Sequence, residues 1–283
     1  MFIGNYFKNI NLKSKNHIFS GLSFNSNDCR KNYIFFAIKG NNLNGNKFIH
    51  HAINNGAKTV VSSNNYQGFK NDVLFIKSNN VRQLFAEVVS KIYKKKPKNL
   101  VAVTGTNGKS SIADFYLQIL KLNKKKVASI GTLGVNSNKN KIKLQNTTLD
   151  SLKLAKYLSK LKDQKIDNVI LEASSHGLNQ HRLDGLKFQI GIFTNLSHDH
   201  LDYHKSYKKY LNAKLYLFKK LLKNNSNIIT DFDIPEYKKI KIISKKKRNK
   251  IYTISLKNGD LSVISHEYHG EKQLLKVRYK KKI

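Results

Sequence analysis

A glycine-rich segment that ends in lysine and serine carries the strongest chemical signal of the sequence. It covers residues 101–111 and reads VAVTGTNGKSS. Glycines at positions 105 and 108 permit a left-handed backbone and a close approach to an anion. Backbone N–H groups and a helix N-terminus would then face phosphate oxygens. Lys109 would neutralise the terminal phosphates, and the hydroxyl of Ser110 suits Mg²⁺.

These features predict a phosphate loop that leads into a helix beginning at Lys109. Position 103 is valine where the common phosphate-loop pattern has glycine. The alternative is an ordinary glycine turn before a helix, but a Gly-Lys-Ser-Ser run between a strand and a helix favours the phosphate loop. The candidate nucleotide contacts are Gly105, Thr106, Asn107, Gly108, Lys109, Ser110 and Ser111.

A carboxylate at the end of a second apolar strand is the next candidate. Glu172 follows Val169-Ile170-Leu171, which is typical of a buried strand. Ligands of open α/β sheets collect at the carboxyl ends of the strands, and a carboxylate there can hold Mg²⁺. The alternative is a glutamate that caps the turn after its own strand.

Histidines and aspartates are concentrated in one short stretch. Residues 198–204 read HDHLDYH, so three histidines and two aspartates fall within seven residues. A zinc site is one interpretation, but no cysteine lies nearby and no H-E-x-x-H helix is present. A Mg²⁺ site beside a nucleotide agrees better with the phosphate loop, with one or two of the five residues as ligands. A generic polar loop remains an alternative.

Alternating strands and helices are expected to position these residues. The pattern predicts strands at 33–38, 58–62, 73–77, 100–104, 126–131, 168–172, 189–194 and 227–230, and helices at 48–55, 81–93, 109–122, 152–164 and 207–222. After residue 238 the pattern changes to lysine runs and short alternating pieces, which predict a β-rich tail. Strands separated by helices indicate an α/β fold with a mostly parallel sheet covered by helices on both faces.

The run KKKPKN at residues 94–99 has no apolar residue apart from its proline, and we place a domain boundary there. The prediction is a small α/β domain over residues 1–97 and a central, phosphate-loop domain over residues 98–283.

Composition excludes some classes of protein and leaves one alternative open. The 283 residues are 40% hydrophobic and 25% charged, which excludes a wholly disordered chain. No apolar run approaches the length of a membrane span, no signal peptide is evident and the single cysteine cannot form an internal disulfide. These observations predict a cytoplasmic protein.

The net charge of +36 suggests nucleic-acid binding at first sight, but 48 of the 53 basic residues are lysine and only five are arginine. Together with the many Asn, Ile, Phe and Tyr residues, this favours drift in an AT-rich coding sequence, and no specific nucleic-acid partner is expected. A basic protein that binds polyanions remains the alternative.

Taken together, several segments resemble the Mur ligases, the ATP-dependent amino-acid ligases of peptidoglycan synthesis. The order and spacing of these segments are similar to the family from about residue 20 to residue 230. The E-x-S-S-H-G-L-x-Q-x-R and H-D-H-L-D-Y-H strings are the most specific. The matching segments are residues 104–111, 146–148, 172–178, 180–182, 193–204 and 210–214.

The resemblance implies roles for individual residues. Residues 105–111 would hold the ATP phosphates, and the catalytic residues would be Lys109, Glu172, His200 and Lys214. Lys214 occupies the position at which family members carry a carbamylated lysine, so the implied Mg²⁺ ligands are Ser110, Glu172, His200 and carbamylated Lys214. The implied contacts to the UDP-sugar dipeptide are Phe24, Ser26, Asn41, Asn42, Leu43, Asn146, Thr147, Thr148, Ser174, Gln180 and Arg182.

The resemblance also implies a reaction. The γ-phosphoryl group of ATP would move to the D-Glu side chain of UDP-MurNAc-L-Ala-D-Glu, and an amine would then displace phosphate from the acyl phosphate. The amine would come from the third residue of the stem peptide, with meso-diaminopimelate favoured over L-lysine. Residues 1–97 would be the UDP-binding domain, and a monomer is expected.

Members of the family have a further domain that carries the amino-acid pocket. This chain is expected to end before that domain, inside the central one. The alternatives are another Mur-type or folylpolyglutamate-type ligase, a non-catalytic nucleotide-binding fragment, and the basic polyanion binder.

Overall fold

The computed structural model describes residues 1–8, 10–40, 43–138, 140–144 and 147–279. The chain divides into two compact units, Met1–Ile92 and Tyr93–Ile283. The division lies a few residues before the boundary expected from the lysine- and proline-containing run. The roles of the two units as UDP-binding and central domains remain predictions.

The first unit is built on a five-stranded sheet with the strand order β1-β2-β3-β5-β4. Only β4 is antiparallel to its neighbour. The strands are β1 (Gly21–Ser23), β2 (Tyr33–Phe36), β3 (Ala57–Ser62), β4 (Gly68–Lys70) and β5 (Val73–Lys77), and the helices are α1 (Leu12–Lys15), α2 (Ile49–Asn54) and α3 (Val81–Ile92). Helix α3 is amphipathic as its sequence predicts, but its buried side includes Val81, Phe85, Val88 and Val89, whereas Leu84 and Ile92 are only partly buried.

The second unit contains a ten-stranded sheet with the order β15-β14-β13-β12-β11-β6-β10-β7-β8-β9. All pairings from β14 across to β7 are parallel, and the antiparallel pairs are confined to the two ends. The strands are β6 (Asn99–Thr104), β7 (Val127–Gly131), β8 (Gly134–Ser137), β9 (Lys141–Ile142), β10 (Asn168–Glu172), β11 (Phe188–Phe193), β12 (Leu222–Asp231), β13 (Lys250–Ser255), β14 (Leu261–His269) and β15 (Lys272–Tyr279). The mostly parallel α/β fold predicted from the sequence is confirmed.

Helices connect the parallel strands of this sheet. They are α4 (Lys109–Leu122), α5 (Ser151–Asp163), α6 (Ser175–Asn179), α7 (Leu201–His204), α8 (Tyr207–Tyr216) and α9 (Tyr237–Lys247). The core includes Ala102, Val169 and Leu171 from the sheet and Leu158 from α5, all at most 1% exposed. Burial on the sheet explains why β6 and β10 read as continuous apolar runs.

The sequence prediction was wrong in two places. Residues 238–247 belong to α9 rather than to a β-rich tail, because Ile240, Ile243 and Ser244 recur at helical spacing and are buried. The α-helix expected over residues 207–222 ends at Tyr216, and the chain then forms a π-helix, Leu217–Leu221. The strands expected farther along the tail are present as β13, β14 and β15.

Among the described residues, no helix combines the length and the apolar character that a membrane crossing requires.

Candidate active site

The phosphate loop lies at the carboxyl end of β6, in the middle of the parallel sheet. Strand β6 has β10 on one side and β11 on the other, so its end faces residues from both neighbours. Gly108 is the N-cap of α4 with a left-handed φ of +81°. A Cβ atom at Gly105 would overlap the hydroxyl of Thr194. Glycine is therefore required at both positions for the chain to turn here.

Residues that follow β11 hold the loop in place. The backbone N–H of Thr106 donates to the carbonyl of Asn195 (3.0 Å), and that of Asn107 donates to the Asn195 side-chain oxygen (2.9 Å). The Thr194 hydroxyl donates to the carbonyl of Asn107 (2.7 Å). These contacts fix the loop backbone before α4 begins.

Lys109 folds back over the loop that precedes it. Its ammonium donates to the carbonyls of Gly105 (3.0 Å) and Thr106 (2.7 Å). Burial lowers the pKa of Lys109, whereas the carboxylates of Glu172 and Asp199 raise it. The cation thus lies at the mouth of the loop, where it can neutralise an anion.

Lys214 of α8 is buried on the same loop, at 1% exposure. Its ammonium donates to the carbonyl of Gly105 (2.6 Å), which also accepts from Lys109. Burial lowers the pKa of Lys214 to about 7, and the charge of Lys109 acts in the same direction. A neutral amine is the nucleophilic form of lysine, so this environment suits the reaction with CO₂ that would give a carbamate.

Glu172 ends β10 and is almost fully buried at 2% exposure. One carboxylate oxygen accepts from the backbone N–H of Thr132 (2.8 Å). The other accepts from the hydroxyls of Ser110 (2.9 Å) and Thr132 (3.1 Å). A Cβ atom at Gly131 would overlap this carboxylate. The side chain therefore reaches across to the end of β7 and touches the start of α4.

Of the five His and Asp residues at 198–204, His200 lines this cavity, and the Asp199 carboxylate lies close enough to raise the pKa of Lys109 and of Lys214. His200 precedes α7 in a left-handed conformation with φ +53°. Its Nε2 lies 3.3 Å from a carboxylate oxygen of Asp199. His204 is buried, and this burial, reinforced by His176, His200 and Lys214, lowers its pKa to about 4.

These side chains surround one cavity of about 290 Å³. It brings together the seven predicted loop residues, Glu172, His200 and Lys214, and two of the predicted substrate contacts. Its lining is Gly105, Thr106, Asn107, Gly108, Lys109, Ser110, Ser111, Thr132, Thr147, Glu172, Ser174, Ser175, His200 and Lys214.

The donors in this cavity fit a Mg²⁺ ion that arrives with a nucleotide. The Ser110 hydroxyl and the Glu172 carboxylate are 2.9 Å apart, and His200 lines the same space. Mg²⁺ commonly binds through one or two carboxylates and completes its shell with phosphate oxygens and water. Among the described residues, no group of three or more His, Cys, Asp or Glu side chains is placed to hold a metal ion by itself.

The other predicted substrate contacts of this unit form a hydrogen-bonded chain beside the cavity. The Thr148 hydroxyl donates to the Glu172 carbonyl (2.9 Å) and lies 3.0 Å from the Ser174 hydroxyl, which in turn caps α6. The guanidinium of Arg182 donates to the Gln180 side-chain oxygen (2.8 and 3.1 Å) and to the Thr148 carbonyl. Thr147 and Ser174 connect this chain to the cavity wall.

The first unit contains three of the predicted substrate contacts within the described residues, Phe24, Ser26 and Leu43. The Phe24 ring is 41% exposed and meets Phe85 edge to face, with ring centroids 5.4 Å apart. Ser26 begins a short 3₁₀-helix, and Leu43 is exposed. The predicted contacts Asn41 and Asn42 of the first unit and Asn146 of the second lie outside the described residues.

Sequence reasoning missed three polar residues of the site: Thr132, Thr194 and Asn195. Thr132 donates twice to Glu172, and the other two hold the phosphate loop. Thr132 directly follows β7, which neighbours β10, and Thr194 and Asn195 are the two residues after β11, which neighbours β6. The rule that ligand sites gather at the carboxyl edge of a parallel sheet would have identified all three.

Comparison with known proteins gives matches over most of the chain. Residues 103–282 match the family model of the Mur ligase middle domain. The chain is 41% identical over 260 residues to the UDP-N-acetylmuramoyl-L-alanyl-D-glutamate--2,6-diaminopimelate ligase of Rickettsia prowazekii (strain Madrid E), covering 90% of this chain and 53% of that protein. It is 37% identical to the protein of the same name from Clostridium tetani (strain Massachusetts / E88), covering 88% and 51%. The chain thus spans about half the length of these relatives.

Solved structures show the same likeness. A structure of a UDP-N-acetylmuramoyl-L-alanyl-D-glutamate--2,6-diaminopimelate ligase matches with a TM-score of 0.84 at 29% identity, covering 98% of this chain and 57% of that one. The MurF ligase from Thermotoga maritima in complex with ADP matches with a TM-score of 0.60 at 19% identity, covering 92% and 56%. The second match supports the fold alone.

Proposed function

The chain belongs to the Mur ligase family, and from this premise we propose that it supplies the nucleotide-binding and dipeptide-binding parts of an ATP-dependent ligase. The proposed reaction joins 2,6-diaminopimelate to UDP-MurNAc-L-Ala-D-Glu, as the names of the relatives indicate. The observation that carries the proposal is the single cavity in which the phosphate loop meets Glu172, Lys214 and Ser174.

The phosphate loop would bind and orient the terminal phosphates of ATP. Its backbone N–H groups and the N-terminus of α4 attract anions, and Lys109 adds a positive charge at the mouth of the loop. Phosphoryl transfer depends mainly on position and charge neutralisation. Phosphoryl transfer in this site therefore needs no nucleophilic serine or cysteine.

The proposed metal ligands are Ser110, Glu172, His200 and carbamylated Lys214. Bound Mg²⁺ would offset the negative charge of the phosphates. Thr132 would keep the Glu172 carboxylate oriented through its two hydrogen bonds. The burial of Lys214 would keep part of its amine neutral and thus open to carbamate formation.

The chain of Thr148, Ser174, Gln180 and Arg182 would hold the dipeptide so that its D-Glu carboxylate faces the phosphate loop. In the first step a carboxylate oxygen bonds to the γ-phosphorus of ATP while the bond to the ADP oxygen breaks. In the second step the diaminopimelate amine attacks the carbonyl carbon, phosphate leaves and the nitrogen loses a proton.

Several further points belong to the same proposal. Identity of 37–41% to proteins named as this ligase supports it over other ligases of the superfamily, because the MurF match is only 19% identical. The names of the relatives favour diaminopimelate over lysine as the amino acid.

We place the reaction in the cytoplasm, where ATP and UDP-sugars occur. We propose that the protein acts as a monomer.

Calorimetry tests this proposal directly. The wild-type chain is titrated with Mg²⁺ and AMPPNP, then with UDP-MurNAc-L-Ala-D-Glu, and phosphate release from ATP is followed after addition of diaminopimelate or lysine. We expect both ligands to bind. Lys109→Ala should abolish nucleotide binding because it removes the cation at the loop, whereas Lys121→Ala, an exposed lysine near the other end of α4, should leave it intact.

The outcomes separate the alternatives. Failure of the muramoyl dipeptide to bind would reject the ligase assignment, whatever the nucleotide does. Nucleotide binding alone would identify a non-catalytic nucleotide-binding module. Phosphate release with only one of the two amino acids would settle the amino-acid substrate.

A further inference from the structure

One tyrosine of α8 touches both the phosphate loop and the proposed carbamate lysine. Tyr210 is completely buried at 0% exposure. It precedes Lys214 by four residues, so the two side chains lie on the same face of the helix. Nothing in its residue type or in the proposed reaction requires a buried phenol here.

The hydroxyl of Tyr210 is bonded to the phosphate loop. Its oxygen lies 3.0 Å from the Thr106 side-chain oxygen, where either group can be the donor. The Thr106 oxygen also accepts from the backbone N–H of Ser197 (3.0 Å). The side chain of Thr106 is thus held from two directions, by α8 and by the segment after β11.

The ring of Tyr210 lies against Lys214. The Lys214 nitrogen is 4.4 Å from the ring centroid, within the range of a cation–π contact. The same nitrogen donates to the carbonyl of Gly105, so the ring and the loop confine it from different sides. His204, whose ring centroid is 5.1 Å from that of Tyr210, packs against the ring as well.

We propose that Tyr210 is a positioning residue that sets the phosphate loop and Lys214 in a fixed relation to each other. Its hydroxyl fixes Thr106, and its ring fixes the Lys214 nitrogen beside Gly105. The two functions reside in different atoms of one side chain and can therefore be separated by substitution. The nucleotide arm of this inference rests on the proposed function, whereas the lysine arm needs only the folded protein.

Tyr210→Phe tests the hydroxyl alone. The loss of one hydrogen bond to the loop should weaken Mg²⁺·AMPPNP binding by about three- to tenfold, as measured by calorimetry. The matched control is Tyr207→Phe on the same helix. The Tyr207 hydroxyl donates to Glu236 (2.7 Å), which does not line the cavity, whereas that of Tyr210 bonds to Thr106, which does; nucleotide affinity should therefore stay at the wild-type level in this control.

Tyr210→Leu tests the ring. Lys214 is labelled with an amine-acetylating reagent in CO₂-free buffer, and its modification is followed by peptide mass spectrometry. The wild type and Tyr210→Phe should protect Lys214 equally because both keep the ring. Tyr210→Leu should be labelled severalfold faster, because leucine leaves space beside the amine.

Thr106→Val supplies a second route to the hydroxyl contact and does not depend on the stability of Tyr210→Leu. If the two hydroxyls act as a pair, the double variant Thr106→Val/Tyr210→Phe should bind nucleotide no more weakly than Thr106→Val alone. A loss in the double variant equal to the sum of the two single losses would overturn the pairing.

The two arms distinguish failure of this inference from failure of the proposed function. If the wild type binds nucleotide and Tyr210→Phe binds it equally well, the positioning role of the hydroxyl is wrong. If the wild type binds no nucleotide, the proposed function fails, and the labelling alone decides whether the ring positions Lys214. Equal labelling of Lys214 in all three proteins would refute that part.

Discussion

Two glutamates of the second unit are both almost fully buried, but their partners give them different roles. Glu172 accepts from Ser110 and Thr132 in the cavity beside the phosphate loop, whereas Glu236 accepts from the phenol of Tyr207 and does not line this cavity. A carboxylate among hydroxyl donors beside a phosphate loop can exchange a donor for a metal ion. The pair therefore offers a matched comparison of site chemistry against burial.

We expect Glu172→Gln to lower the affinity for Mg²⁺·AMPPNP at least tenfold. A loss of this size is typical when a group that supports a bound metal is removed. The amide keeps the shape of the side chain but lacks the charge that attracts Mg²⁺. Glu236→Gln should retain wild-type affinity. The measurement is a Mg²⁺ titration at fixed AMPPNP, and an equal loss in both variants would show that burial, rather than metal binding, explains the effect.

Residue types predicted some parts of the site better than others. The phosphate loop was predictable because Gly105, Gly108 and Lys109 are each required by backbone geometry or charge. Lys214 was not, because composition alone makes it one of 48 lysines, and only the resemblance singled it out. Its burial at the loop depends on how α8 packs, which no local pattern of the sequence specifies.

The end of β7 is shaped by the side chain of Glu172, which comes from the neighbouring strand β10 and crosses it. Gly131 is the last residue of β7, and a Cβ atom there would occupy the position of the Glu172 carboxylate. The glycine therefore makes room for a side chain from the neighbouring strand.

We expect Gly131→Ala to displace Glu172 and to reduce Mg²⁺·AMPPNP affinity at least as much as Glu172→Gln does. Overpacking of this kind should also lower the free energy of unfolding by about 1–3 kcal/mol. Calorimetry gives the first quantity and denaturant unfolding the second. Wild-type affinity in a folded Gly131→Ala protein would mean that Glu172 can leave its position without loss of function.

Elements were predictable wherever apolar periodicity was stronger than the lysine background. Strands β5 and β10 and helix α4 have the predicted bounds, since their buried residues are uninterrupted or regularly spaced. Helix α9 was missed because six of its eleven residues are lysines, which conceal Ile240 and Ile243. The π-helix at Leu217–Leu221 was not predicted, because π-helices are rare and apolar periodicity does not distinguish them from a continuing α-helix.

The net charge of +36 makes binding to polyanions a separate question from nucleotide binding in the cavity. A lysine-rich surface attracts polyanions through the release of counterions, which depends steeply on salt. The affinity for a nucleotide that is held by backbone N–H groups and a partly buried lysine depends less on the salt concentration.

We expect heparin affinity to fall by about a thousandfold to a hundred-thousandfold between 50 and 200 mM salt if six to ten lysines engage. Mg²⁺·AMPPNP affinity should change far less, and Lys109→Ala should leave heparin binding close to the wild-type level. Parallel titrations at the two salt concentrations check this expectation. Equal salt dependence of the two ligands, or joint loss of both in Lys109→Ala, would support the polyanion binder instead.

The left-handed backbone at His200 sets stability against function at one position. A non-glycine residue with φ +53° carries a conformational penalty of about 1 kcal/mol, which glycine would not have. A stability screen that ignores activity would thus tend to replace this histidine, and the side chain proposed to bind the metal would be lost. Under the proposed function, His200→Gly would relieve this strain and remove a metal ligand, so stability and nucleotide affinity would change in opposite directions.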